Sequence, residues 1–114
     1  MTASDGLGPF QQLVMLAVLR LNDEAYGARM QQELEQTAGR SVSIATVYVT
    51  MDRLEQRGYV ESWLSEPTPV RGGKSKRFYR LTKSGIHALR EARDELSRMW
   101  KGVESHPALR APRS

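Results

Sequence analysis

SIATVYVTMDRLEQRG, residues 43–58, running straight into YVESWLS, residues 59–65, is the stretch whose reading decides the fold. Ile44, Val47, Tyr48, Met51 and Leu54 recur at three- and four-residue steps, which is the apolar stripe of an amphipathic helix. Ser43 is its natural N-cap, with Ser41 as the competitor, and Gly58 closes it. The opposite face carries Ala45, Thr46, Val49, Thr50, Arg53 and Arg57. That face is small and hydroxyl-bearing first, and basic further on. Small side chains let a helix backbone approach a groove floor, and threonine can meet base edges and thymine methyls.

Beyond Gly58 the period changes to that of a hairpin. Val60 and Leu64 alternate with Glu61 and Trp63, and Tyr79 and Leu81 alternate with Phe78 and Arg80. Period-two alternation on both sides of a Pro/Gly loop predicts two antiparallel strands. From Pro67 to Arg90 there is no acidic residue, while Arg71, Lys74, Lys76, Arg77, Arg80, Lys83 and Arg90 all fall there. Scattered charges are ordinarily a solvated face. A one-sign block on a short hairpin points instead to a polyanion.

Upstream, Phe10, Leu13, Val14, Leu16, Ala17 and Leu19 predict a first helix starting near Gly8 or Pro9 and ended by Asn22 and Asp23. It is apolar around much of its circumference and so mostly buried. Tyr26, Met30 and Leu34 place a second helix over about 26–38, with Gly39 as its C-cap. Downstream, Thr82 caps a last helix from about Lys83 to Val103. In it Ile86, Leu89, Arg93, Leu96, Trp100 and Val103 alternate three- and four-residue steps, a heptad seam with Arg93 in one apolar slot. Leu96, Trp100 and Val103 lie too far out for a small domain to cover, which predicts a second copy of the chain as their partner. The tail SHPALRAPRS reads as disordered. The expected architecture is mainly α with a small β-hairpin: a winged helix-turn-helix over residues 8–82, a dimerisation helix over 83–103, and flexible termini at 1–7 and 104–114.

Other classes are disfavoured by the composition. The chain has 114 residues, a formal charge of +4 and no cysteine. One domain of that size builds a core without disulfides or thiolate metal sites. The longest apolar run, Leu13–Leu19, is far short of the roughly 20 residues of a membrane span. The N-terminus lacks the pattern of a secretory signal, so the expected place is the cytoplasm. His87 and His106 each stand without a second ligand at metal spacing, so no metal or cofactor is expected. No Gly-rich phosphate loop or catalytic triad can be picked out. Asp52 and Glu55 read as helix-surface partners of Arg53 or Arg57, and an enzyme is not expected.

Three stretches, AYGARMQQELEQ at 25–36, SIATVYVTMDRLEQRGYV at 43–60 and GGKSKRFYRLTKSG at 72–85, resemble the PadR-like transcriptional regulators. The resemblance covers about residues 8–90. It departs from the family at Ala45 and Val49, where glycine or proline is common, which bears on base contacts and not on the fold. It implies a homodimer on a dyad-symmetric operator in double-stranded DNA, usually repressing, with the single C-terminal helix of the short branch.

Each candidate residue then takes an expected role. Ser43, Ala45, Thr46, Thr50 and Arg53 face base edges or flanking phosphates, and Tyr48 packs inward with its hydroxyl reaching phosphate. Arg71, Lys74 and Lys76 reach the DNA backbone or minor groove from the wing. Phe10, Leu89, Leu96, Trp100 and Val103 form the dimer interface. Met15, Leu96, Met99 and Trp100 line a pocket for a small flat aromatic effector, as the resemblance suggests. The rival reading is a protein-interaction module whose hairpin docks an acidic partner, with only weak DNA binding.

Overall fold

The computed structural model describes residues 6–66 and 75–110. Helix α1 is Pro9–Leu21, with proline in the first turn, where its missing N–H costs nothing. A single 3-10 turn, Asn22–Glu24, leads to α2, Gly27–Ala38, which ends on Gly39 at φ +64°. Helix α3 is Ile44–Gln56, and Gly58 at φ +79° turns the chain into β1, Val60–Leu64. Strand β2 is Arg77–Leu81 and helix α4 is Lys83–Trp100.

The two strands pair antiparallel in the register Val60↔Leu81, Ser62↔Tyr79 and Leu64↔Arg77 on one face, and Glu61↔Arg80 and Trp63↔Phe78 on the other. A short bridge between Tyr26 and Phe78 adds the chain before α2 to the outer edge of β2, and the Tyr79 N–H donates to the Ala25 carbonyl at 2.9 Å. This pairs part of an edge that would otherwise offer unpaired backbone groups.

The core sits where α1, α2, α3 and the inner hairpin face meet. Val14, Met15, Met30, Val47, Met51 and Leu54 are completely buried there, with Tyr79 among them. The expected inward stripe of α3 is corrected at two positions. Ile44 and Tyr48 are each more than a third exposed. Val47, Met51 and Leu54 already fill the inward arc; Ile44 lies in the first turn, beyond the core, and Tyr48 is rotated about 100° from Val47. Leu64 is also outside, because the hairpin runs past the edge of the core.

Among the described residues, helix α4 has buried positions only in its first half. Gly85 and Leu89 are its buried residues, whereas Leu96, Met99 and Trp100 are exposed at 56%, 73% and 45%. It ends at Trp100, three residues before the expected Val103, because the chain turns over at residues 101–105 with Gly102 at φ +83°. The tail is corrected as well: Pro107–Arg110 form a one-turn helix, α5.

Candidate nucleic-acid interface

The start of α3 is built by its own hydroxyls. The Ser43 side chain accepts from the Thr46 N–H at 3.0 Å, as an N-cap should, and the Ser43 and Thr46 hydroxyls lie 2.9 Å apart. The Thr50 hydroxyl donates back to the Thr46 carbonyl at 2.9 Å. These three oxygens are therefore partly committed to the helix, and what they still offer outward is remaining lone-pair capacity. Ala45, Thr46, Val49 and Arg53 are all exposed on one side of α3, and the exposed Asp52 is the carboxylate that shares it.

The wing root is tied to α3 by a polar relay that sequence reasoning missed. Arg77 Nη1 donates to the Ser62 hydroxyl at 2.9 Å, and that hydroxyl donates to the Glu55 carboxylate at 2.9 Å. Glu55 thus serves the hairpin, not Arg53 or Arg57. Arg57 instead reaches Gln11 at 3.2 Å and lies 4.8 Å over the Tyr59 ring. The register that puts Ser62 beside Arg77 comes from the strand pairing, which no local pattern states.

A second missed feature is a row of rings and cations on the outer hairpin face. Phe78 stacks on Trp63 at 6.0 Å and meets Tyr26 edge-on at 5.4 Å. Arg80 lies 5.3 Å over Trp63 and is ion-paired with Glu61. Lys76, expected on DNA, has its ammonium 4.3 Å over the Tyr26 ring. It is exposed, and that contact holds it at the wing root beside the start of α2. Arg71 and Lys74 lie outside the described residues.

The residues expected at the subunit contact divide into two groups. Leu89, Leu96 and Trp100 line an open hollow of about 450 Å³ between α1 and α4, together with Leu16, Leu19 and Ile86. Leu96, Met99, Trp100 and Val103 line another of about 390 Å³ under the C-terminal turn, with His106 and Leu109. Phe10 is in neither: it packs half-buried against the core with the Arg40 guanidinium 5.6 Å over its ring. Met15 is corrected too. It points inward and is completely buried, one residue round the helix from the exposed Leu16, so it cannot line a surface pocket with Trp100. His87 is exposed and sits 3.3 Å from Glu91 one turn on.

Residues 15–91 match the model of the transcriptional regulator PadR-like family. The chain belongs to the PadR-like family of transcriptional regulators. It is similar to the transcriptional regulator Rv3488 of Mycobacterium tuberculosis, 40% identical over 90 residues that cover 76% of this chain and 79% of that one. Among solved structures it is similar to a PadR family regulator from Eggerthella lenta, at 32% identity and TM-score 0.64, covering 81% of this chain and 78% of the other. It is also similar to a PadR family regulator from Clostridium difficile, at 25% identity and TM-score 0.59, covering 81% and 93%. The mostly helical architecture with a two-stranded hairpin and a C-terminal helix is that of these PadR structures. No helix among the described residues is long and apolar enough to cross a membrane.

Proposed function

We propose that the chain is a homodimeric repressor that holds a dyad-symmetric operator with α3 and the wing of each copy and is released by a small aromatic effector. The observation that carries the reading is the outward face of α3. Ala45, Thr46, Val49 and Arg53 are exposed, with Asp52 the one acid among them, and they are flanked by a hairpin fastened to the same helix through Glu55, Ser62 and Arg77. In this reading α3 lies in the major groove, with Ser43, Ala45, Thr46, Thr50 and Arg53 toward bases or flanking phosphates. The Tyr48 hydroxyl takes a backbone phosphate, and Arg71, Lys74 and Lys76 reach the backbone or the minor groove from the wing. Residues 8–82 are the DNA-binding unit and 83–103 the dimerisation unit.

The second copy covers the apolar side of α4 and α1, where Leu16, Leu19, Leu96 and Trp100 stand exposed. An effector would lie against Leu96, Met99 and Trp100. Such a regulator works where the DNA is, in the cytoplasm of a prokaryotic cell. The deciding experiment is a footprint on DNA upstream of its own gene, with affinity measured at several salt concentrations. A protected dyad, and a salt slope that flattens by about one unit for each phosphate contact removed, support the reading. Weak binding with no protected site refutes it.

A further inference from the structure

We propose that Gly27 is a positioning residue for DNA binding: it is the seat that holds the Tyr48 side chain in place. The proposal rests on the reading that α3 and Tyr48 face DNA. Gly27 is the first residue of α2 and has no positive φ, so its backbone does not call for glycine. Space does. A Cβ on Gly27 would lie 2.5 Å from Tyr48 Oη, 2.6 Å from Cζ and 3.0 Å from Cε1. Gly27 is buried beneath that ring, while Tyr48 itself is 38% exposed. One edge of the tyrosine therefore rests on the bare backbone of α2 and the other is open to solvent.

The contact is specific in what it fixes. The colliding atoms are the far end of a flexible side chain, so a methyl group at Gly27 leaves the core alone and turns Tyr48 to another rotamer. Tyr48 stands between Val47, which is buried, and Val49, which is exposed on the outward face. Its hydroxyl thus sits at the margin where α2 and α3 both approach a ligand of α3. Moving the ring carries that hydroxyl away from the spot while the fold survives.

The test is a double-mutant cycle with Gly27→Ala, Tyr48→Ala and the pair, read as affinity for a mixed-sequence DNA duplex by fluorescence anisotropy. Tyr48→Ala should weaken binding roughly ten-fold, the size of one hydrogen bond to a charged group. Gly27→Ala should weaken it by a similar factor, and the double variant should bind no worse than Tyr48→Ala alone. If Tyr48→Ala weakens binding and Gly27→Ala does not, or if Gly27→Ala adds its full loss in the Tyr48→Ala background, the seat is overturned. If Tyr48→Ala binds like the parent, the placement of Tyr48 on DNA fails first and the proposal falls with it. The seat has a readout apart from DNA: the Gly27 α-protons should be shifted by the Tyr48 ring current in the parent protein and return to ordinary values in Tyr48→Ala. An unshifted resonance in the parent overturns the contact even where Gly27→Ala does not fold.

Discussion

Gly85→Ala should loosen the joint between α4 and the rest of the molecule, and its cost can be worked from the geometry. Gly85 lies in the first turn of α4, where its N–H donates to the Thr82 cap at 3.0 Å. A Cβ there would meet the Tyr59 carbonyl oxygen at 2.0 Å, against the 3.4 Å at which ordinary contact begins, so the two must part by about 1.4 Å. The obstacle is backbone. It cannot swing aside as a side-chain tip does, and the same carbonyl accepts from the Thr82 N–H at 3.0 Å.

Relief therefore needs a rigid shift of α4 against β1, which breaks that bond and lifts Leu89 from the core. Overpacking costs about 1–3 kcal/mol, and losing a hydrogen bond adds about 1 kcal/mol. The expected loss is about 3 kcal/mol, which for a chain of this length is a fall in Tm of roughly 10 °C or more. Urea unfolding followed by circular dichroism measures it. Gly39→Ala is the control: it meets nothing within 4 Å, and only its φ of +64° is strained, for about 1 kcal/mol. A Gly85→Ala variant as stable as Gly39→Ala would refute the idea that close approach is what requires glycine here.

Three further outcomes are expected. The buried Tyr79 hydroxyl has no hydrogen-bond partner among the described residues, so Tyr79→Phe should stabilise by about 1 kcal/mol in the same unfolding assay. Burial first, and then the Asp52 carboxylate, push the Tyr79 pKa up from 10.0 to about 12. The folded state thus holds a proton that the unfolded chain releases. Stability is fully present below about pH 10 and is lost as pH rises toward 12, and the Tyr79→Phe variant should lose less over that window. Leu96→Asp or Trp100→Asp should yield a folded monomer by light scattering, since neither side chain belongs to the core; a persistent dimer would place the subunit contact elsewhere.

Much of this molecule can be read along the chain, because its information is local. The stripe Val47, Met51 and Leu54, the caps Ser43 and Thr82, the glycines at 39 and 58 and the period-two hairpin each state their element within a few residues. The acid-free stretch after Pro67 and the small outward face of α3 point to a polyanion in the same way. The sequence likewise names the far end of α4 as apolar without cover, since an 18-residue helix outruns a core this small.

Only the tertiary structure decided which residues meet across elements. Periodicity assigns a residue to a face within about one position. It could not separate Met15 from Leu16, which place a buried and an exposed side chain next to each other, nor set Tyr48 at the core's margin. The packing angle of α1 and α3 settles that. Strand register brought Arg77, Ser62 and Glu55 together from separate elements, and chain reversal set Gly27 under Tyr48 and Gly85 against Tyr59. Contacts of that kind depend on how elements already formed are stacked, so single-residue patterns carry no trace of them beyond an unexplained glycine.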